Sequence, residues 1–193
     1  MNLSPSSDPP AQRSVCVFCA SSNGAEPIFL EEAKALGRSI AGRGWQLVYG
    51  GADVGLMGAL ADAALSDGGA VTGVIPRALA DREIAHRGLT QLIEVGSMHE
   101  RKAEMARRAD AFLVLPGGLG TLDELCEILT WALLGIHDKP VVLINIAGYW
   151  DAFLGMLDAA VAAGFLRSAH RALSLVTPDA NAACDAVARL WLR

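Results

Sequence analysis

Short apolar runs alternate with amphipathic stretches along most of this chain. Runs rich in Val, Ile and Leu predict seven strands, and apolar positions at helical spacing predict six helices. The predicted strands are Val15–Ala20, Gln46–Tyr49, Ala70–Ile75, Leu89–Val95, Ala111–Leu115, Val141–Ile146 and Ala172–Val176. The predicted helices are Pro27–Gly42, Leu56–Leu65, Ser97–Arg108, Thr121–Leu134, Trp150–Ala163 and Asp179–Trp191.

This alternation predicts the fold class. Strands that are apolar throughout fit a parallel sheet buried on both faces, with helices covering each side. We therefore expect an α/β protein with a single-domain Rossmann-like fold and a parallel sheet of about seven strands. In such sheets the carboxyl ends of several strands meet at one edge, and ligands bind there.

Length and composition support one globular unit. The chain has 193 residues, of which 52% are hydrophobic, enough for one well-buried domain at 14–193. Residues 1–13 are rich in Ser and Pro, and we expect a disordered N-terminal tail there, not a secretory signal. No apolar run reaches membrane-spanning length. The pair Cys16 and Cys19 fits buried reduced thiols better than a zinc site, so we expect a cytoplasmic protein.

The charge balance narrows the choice of partner. The formal net charge is −5 and the isoelectric point is about 5.3, with no basic stripe along the chain. These values disfavour binding to a nucleic acid polymer or to an anionic membrane. The expected partner is a small molecule.

A glycine-rich segment at 115–124 follows one predicted strand and reads Leu-Pro-Gly-Gly-Leu-Gly-Thr-Leu-Asp-Glu. Gly117, Gly118 and Gly120 can take positive φ angles and admit an anion, and a helix starting near Thr121 directs its positive end at it. The alternative is a capping box in which Thr121 and Glu124 only satisfy the helix start. The first interpretation predicts a ligand that carries a phosphate.

A second glycine loop at 49–58, Tyr-Gly-Gly-Ala-Asp-Val-Gly-Leu-Met-Gly, repeats the order of strand, glycines and helix. It makes Gly50 and Gly51 candidates for the other wall of the same crevice. Neither loop has the lysine of a Walker motif, which disfavours phosphoryl transfer. The first strand runs into Ser21, Ser22 and Gly24 without the dinucleotide fingerprint, which disfavours nicotinamide and flavin chemistry. Those three residues fit either a sugar or phosphate contact or an ordinary turn.

A third group of residues, Ser97 to Lys102, follows the strand that ends at Val95. Ser97 and Glu100 fit a capping box, which places Arg101 and Lys102 in about the first turn of the next helix. Cations there oppose the helix dipole, which suggests that they meet an anion, although a solvated face is the alternative.

The two histidines nearest these motifs do not suggest a metal site. His86 and His99 lack the spacing of metal ligands, and no carboxylate cluster surrounds them. Surface or hydrogen-bonding roles fit them better. We expect neither a metal nor a cofactor.

Taken together, four motifs resemble the LONELY GUY (LOG) family over about residues 14–178. They are Val-Tyr-Gly-Gly-x-x-x-Gly-Leu-Met-Gly at 48–58, Ser-Met-His-Glu-Arg-Lys at 97–102, Pro-Gly-Gly-Leu-Gly-Thr-Leu-Asp-Glu at 116–124 and Thr-Trp-x-x-Leu-Gly-Ile-His at 130–137. Members of the family are cytokinin-activating phosphoribohydrolases, which cleave the N-glycosidic bond of N6-modified adenosine 5′-monophosphates. The products are the free base and ribose 5-phosphate. An old lysine decarboxylase label on many relatives finds no support in these residues.

The resemblance implies roles for individual residues. Arg101 and Glu124 would be the catalytic pair. The resemblance implies substrate contacts at Glu83, Met98, Lys102, Thr130 and the loop residues Gly117, Gly118, Leu119, Gly120 and Thr121. The other predicted substrate-binding positions are Ser21, Gly50, Gly51, Leu122 and Asp123. A carboxylate beneath the anomeric carbon stabilises developing positive charge on the sugar and orients water, and we expect the helix start to keep Glu124 ionised. Arg101 stays protonated, so it would orient Glu124 and hold the sugar-phosphate.

The resemblance also implies a homodimer. Trp131, Leu133, Leu134 and Ile136 provide an apolar surface, although a helix packed on its own sheet would look the same. Two other functions stay open: an N-glycosidase of general purine or pyrimidine nucleoside monophosphates, and a non-catalytic nucleotide-binding sensor or carrier of similar fold. The shape of the base pocket would distinguish the general N-glycosidase from the cytokinin-specific enzyme, and the sequence does not give that shape.

Overall fold

The computed structural model describes residues 12–80 and 85–192. Seven parallel strands form one sheet in the order β4-β3-β2-β1-β5-β6-β7. The strands are β1 (Ser14–Phe18), β2 (Gln46–Tyr49), β3 (Val71–Pro76), β4 (Gln91–Val95), β5 (Ala111–Val114), β6 (Val141–Ile144) and β7 (Ser174–Thr177). The predicted seven-stranded parallel sheet is confirmed. The predicted tail lies outside the described residues, apart from Gln12 and Arg13.

Helices cover both faces of the sheet. They are α1 (Pro27–Gly42), α2 (Gly55–Ser66), α3 (Arg77–Ala80), α4 (Met98–Arg108), α5 (Leu119–Leu133), α6 (Asp151–Ala162), α7 (Ser168–Arg171) and α8 (Ala180–Trp191). The six predicted helices are all present, with ends shifted by at most two residues. The short helices α3 and α7, and a 3-10 turn at Ile146–Gly148, were not predicted, because they are too short for a periodic pattern.

Strand β1 shows why both faces are apolar. Val15 and Val17 point into one core cluster, which α1, α2 and α8 cover, while Cys16 and Phe18 point into a second cluster, which α4 and α5 cover. Because successive side chains of a strand alternate between faces, a central strand in a covered sheet is apolar throughout.

All four cysteines lie among the described residues and are free thiols. Cys16 and Cys19 are buried, as expected for a reduced pair, and burial raises the pKa of both thiols. Among residues 12–80 and 85–192, no helix combines the length and the apolar character that a membrane span requires.

Strand order reverses at β1, which lies between β2 and β5 in the sheet. The chain runs outward from β1 through β2 to β4, and then crosses to β5 and continues to β7. In open α/β sheets the crevice at such a reversal, outside the carboxyl ends of the strands, is where ligands bind. The topology therefore predicts a ligand site among the residues that follow β1, β2 and β5.

Candidate functional site

A cavity of about 260 Å³ lies at this crevice. It is formed by the segments that follow β1, β2 and β5, together with one side chain from α4. The lining residues are Val17, Cys19, Ala20, Ser21, Ser22, Gly50, Met57, Arg101, Gly118, Leu119, Gly120, Thr121 and Glu124. The structure thus brings the predicted catalytic pair and most of the predicted phosphate-binding segment into one cavity.

The β5–α5 loop, residues 115–118, leads directly into helix α5. The helix begins at Leu119 with Gly118 as its N-cap, and no side chain caps it. The N–H groups of Leu119, Gly120 and Thr121 have no partner inside the helix, since the first intrahelical donor is Leu122 N, 3.0 Å from the Gly118 carbonyl. These N–H groups lie at the cavity with the positive end of the helix dipole, an arrangement suited to an anion.

The structure rules out the capping alternative for this loop and one expectation about its backbone. The Thr121–Glu124 capping box is absent, because the helix starts two residues before Thr121. Gly117, Gly118 and Gly120 also do not have positive φ angles. Glycine suits these positions for another reason. A Cβ on Gly117 would overlap the Thr121 hydroxyl. Cβ atoms on Gly118 and Gly120 would enter open space at the cavity.

Arg101 is held rigidly at the opposite wall. The predicted cap is present, with Glu100 N donating to Ser97 Oγ at 3.2 Å. Arg101 is 7% exposed; its Nε donates to the Val74 carbonyl at 3.1 Å and its Nη2 to the Gly50 carbonyl at 3.0 Å. A Cβ on Gly50 would overlap Nη2. The ends of β2 and β3 therefore fix this cation against the cavity.

Glu124 is the buried acid of the cavity. The residue is 8% exposed and lies in the second turn of α5. Burial raises the pKa of its carboxyl from 4.5 to about 7, and it outweighs the lowering effect of Arg101. The expected ionisation by the helix start was wrong, because the helix begins at Leu119 and the dipole acts mainly on its first turn. A carboxyl with this pKa exchanges a proton readily near neutral pH.

Lys102, predicted to bind substrate, does not line the cavity. Its Nζ lies 2.9 Å from Asp123 Oδ2 and 3.1 Å from Glu127 Oε1, so it joins α4 to α5. Burial opposes the charged form of Lys102, yet the hydrogen bonds to the two carboxylates leave its pKa raised. Sequence reasoning missed Glu127 as its partner, although one helical turn separates that residue from Asp123.

Several other predicted positions lie outside the cavity lining. The Gly51 carbonyl accepts a hydrogen bond from His86 N, and Leu122 packs on the second core cluster. Thr130 is exposed, and its hydroxyl donates to the Cys126 carbonyl at 2.7 Å. Met98 is exposed, with its sulfur 3.9 Å from Arg101 Nη1. Glu83 lies outside the described residues.

The β2–α2 loop, residues 50–54, has a different role from the β5–α5 loop. Two of the first three N–H groups of α2 are already used: Leu56 N donates to the Ser22 carbonyl and Met57 N to the Ala20 carbonyl, both at 3.3 Å. Gly55, with φ +60°, lets α2 approach the backbone of Ser21. This loop shapes the wall that carries Ser21 and Ser22, and only Gly50 of its residues lines the cavity.

Comparison with known proteins gives the family of this chain. Residues 57–187 match a family described as "Possible lysine decarboxylase". A protein of Oryza sativa subsp. japonica named "Probable cytokinin riboside 5′-monophosphate phosphoribohydrolase" is 52% identical over 168 residues, covering 87% of this chain and 74% of that protein. A cytokinin riboside 5′-monophosphate phosphoribohydrolase of Arabidopsis thaliana is 47% identical, covering 86% of this chain and 73% of the relative. The chain belongs to the LOG family.

Solved structures confirm the Rossmann-like fold of this LOG-family chain. The molybdenum cofactor carrier protein of Chlamydomonas reinhardtii has a TM-score of 0.71 at 25% identity, covering 94% of this chain and 99% of that chain. DNA processing protein A of Streptococcus pneumoniae has a TM-score of 0.56 at 12% identity, covering 88% and 59% of the two chains. At such identity the second likeness concerns the fold alone.

Proposed function

We propose that this chain hydrolyses the N-glycosidic bond of N6-modified adenosine 5′-monophosphates and releases the free cytokinin base and ribose 5-phosphate. The names of its LOG-family relatives support this activity. The observation that carries the proposal is the meeting of three features in one cavity: the unpaired N–H groups that open α5, the fixed guanidinium of Arg101 and the buried carboxyl of Glu124. The catalytic domain is residues 14–193.

The geometry supports separate roles for the start of α5, for Glu124 and for Arg101. The 5′-phosphate binds at the N–H groups of Leu119, Gly120 and Thr121, with the Thr121 hydroxyl beside them. Such an anchor places the ribose between the loop and Glu124, where a carboxylate stabilises positive charge on the sugar. Arg101 holds the sugar-phosphate and keeps Glu124 oriented.

The reaction balances with a single water molecule. The carbon–nitrogen bond breaks with its electron pair going to the base, and the water oxygen bonds to the anomeric carbon. The proton released by the water passes to Glu124, whose pKa of about 7 suits a general base at neutral pH. Glu124 gives up this proton again, and the departing base takes up one proton at its nitrogen, so the products are ribose 5-phosphate and the neutral free base.

We further propose a homodimer. Leu134 and Ile136, after the end of α5, are 64% and 63% exposed, and α6 buries none of its residues in the isolated chain. Exposed apolar surface of this kind favours association with a second copy. Light scattering should give a dimeric mass that falls to the monomer for Ile136→Glu, whereas a monomeric wild-type protein would contradict the proposal.

The compartment is the last part of the proposal. All four cysteines are free thiols, and three of them are buried in the core. Free thiols fit the reducing conditions of the cytoplasm. Fractionation of cells that express the protein would test this assignment.

The activity is tested by chromatography of the purified protein after incubation with isopentenyladenosine 5′-monophosphate or with AMP. We expect base and ribose 5-phosphate to appear together, with the prenylated substrate preferred. Glu124→Ala should lower turnover by at least about 10³-fold. Glu127→Gln is the matched control, because it changes a carboxylate of the same helix that faces Lys102 and not the cavity; most activity should remain.

The other outcomes separate the alternatives. Preference for AMP or other common monophosphates would indicate a general nucleotide N-glycosidase. Binding of AMP without release of any base would indicate a nucleotide-binding sensor or carrier, a function that does not require Glu124.

A further inference from the structure

The turn between β6 and α6, residues 145–150, is built around one asparagine. Asn145 Oδ1 accepts a hydrogen bond from Trp150 N at 2.7 Å, and Asn145 Nδ2 donates to Asp151 Oδ1 at 2.8 Å. These contacts tie both ends of the turn together. They also fix the position of Tyr149, the residue just before Trp150.

The same turn contains unusual backbone. Ala147 has φ +50° and is the single non-glycine residue with positive φ among residues 12–80 and 85–192. Gly148 follows with φ +75°. Left-handed backbone disfavours a residue with a Cβ, so such strain persists only where surrounding contacts enforce it, and it concentrates near functional sites.

The turn places the hydroxyl of Tyr149 against the β5–α5 loop. Tyr149 Oη donates to the Gly117 carbonyl at 2.7 Å across 32 residues of sequence. The ring is held by edge contacts with Phe29, at a centroid distance of 5.9 Å, and with Trp150, at 5.0 Å. A phenol fixed on both sides is well suited to hold one peptide group in one orientation.

The orientation of that peptide matters for anion binding. A trans peptide is planar, so the carbonyl of one residue and the N–H of the next point in opposite directions. The Gly117–Gly118 peptide is trans, and its carbonyl points to Tyr149. The Gly118 N–H therefore points to the other side of the loop, where Gly118 lines the cavity.

We propose that Tyr149 is a positioning residue that aims the Gly118 N–H at the phosphate of the ligand. This role rests on the proposed function, because it assumes that the β5–α5 loop binds the 5′-phosphate. Tyr149 itself does not line the cavity, so it acts through the loop and not through the ligand.

The test is binding of ribose 5-phosphate by calorimetry to wild-type protein and to Tyr149→Phe, which keeps the ring and removes the hydroxyl. Loss of one aligned hydrogen bond should weaken binding by about three- to tenfold. The KM for AMP should rise by the same factor while kcat changes by less than about twofold. Binding of adenosine, which lacks the phosphate, should not change.

The only other tyrosine of the chain offers a matched control. Tyr49 Oη also donates to a backbone carbonyl, that of Ala52 at 3.2 Å, but in the buried core beside the β2–α2 loop. Tyr49→Phe should lower the free energy of unfolding and leave the affinity for ribose 5-phosphate within about twofold.

The outcomes separate the two proposals. Unchanged ribose 5-phosphate affinity in Tyr149→Phe, with a wild-type protein that binds and hydrolyses the nucleotide, overturns only the role of Tyr149. Equal weakening of adenosine and ribose 5-phosphate binding also overturns it, since a general disturbance of the cavity would then explain the result. A wild-type protein that binds neither ribose 5-phosphate nor AMP overturns the proposed function, and the role of Tyr149 with it.

Discussion

The two glycine loops of this protein look alike in sequence and differ in what their helices do. Both join a central strand to a helix whose first residues carry no side-chain cap. At α2 two of the first three N–H groups, those of Leu56 and Met57, donate to the carbonyls of Ser22 and Ala20. At α5 the first three N–H groups face the cavity without a partner in the helix.

The difference shows that glycine-rich loops and helix starts do not by themselves define an anion site. A helix start can bind an anion only where other backbone carbonyls do not already accept hydrogen bonds from its N–H groups. The β2–α2 loop supports the wall of the site, and the β5–α5 loop offers the donors. Substitutions at one loop and not the other test whether the two loops have these different roles.

The largest expected effect is that of Gly118→Val in the β5–α5 loop. Its side chain would occupy open space at the cavity, where the phosphate is proposed to sit. Loss of charge-assisted hydrogen bonds to the phosphate should lower kcat/KM for AMP by about 10³-fold. Gly42→Val, at another glycine with open space but far from the cavity, should leave kcat/KM nearly unchanged in the same assay.

The counterpart beside the β2–α2 loop is Gly55→Ala, at the first residue of α2. Gly55 has φ +60°, and a Cβ there would overlap the backbone of Ser21. We expect the free energy of unfolding to fall by about 3 kcal/mol, because left-handed strain and a backbone clash add. Denaturant titration measures this loss. A stable Gly55→Ala variant would show that the close approach of α2 is dispensable.

The two helices can also be compared through one acid on each, Glu124 on α5 and Asp62 on α2. Burial raises the pKa of Glu124 from 4.5 to about 7, so the folded state binds this proton more tightly than the unfolded state. The associated stability is complete below about pH 4.5 and is lost as the pH rises to 7. Glu124→Gln should therefore be more stable than wild type by about 3 kcal/mol at pH 8, and nearly equal at pH 4.

The matching change on α2 is Asp62→Asn. The Asp62 side chain is 71% exposed, and Oδ1 lies 2.9 Å from His86 Nε2. This variant should lose stability and not gain it, because it weakens a contact and removes no buried charge. Equal pH dependence of Glu124→Gln and wild type, measured by denaturant titration at both pH values, would contradict the assignment of Glu124 as a buried acid.

A smaller loss of activity is expected at Gly50, the residue of the β2–α2 loop that lines the cavity. Gly50→Ala would place a Cβ against Nη2 of Arg101 and displace the guanidinium. A shift of this kind should lower kcat/KM by about 10²-fold with a small change in unfolding free energy. Unaltered kinetics would show that Arg101 does not need its present position.

Much of the fold could be predicted because long periodic segments determine it. The seven strands and six long helices follow from their apolar patterns, and the helix Pro27–Gly42 has the predicted bounds. Elements of three or four residues, such as Arg77–Ala80 and Ser168–Arg171, carry no such pattern.

The site was less predictable where distant segments meet. Arg101 and Glu124 stand out from local motifs, but the carbonyls that hold Arg101 depend on the neighbouring ends of β2 and β3. Burial of Glu124 reverses an expectation that rested on the helix start alone. Lys102 fits a phosphate contact in sequence, and only the packing of α4 on α5 shows its carboxylate partners.

The central claim is that the β5–α5 loop binds the 5′-phosphate of the substrate. It is tested most directly by the ratio of kcat/KM for isopentenyladenosine 5′-monophosphate to kcat/KM for the same nucleoside without phosphate. We expect a ratio of at least about 10² in the wild-type protein and a ratio near one in Gly118→Val. Equal hydrolysis of both substrates by the wild-type protein, or an unchanged ratio in Gly118→Val, would contradict the account.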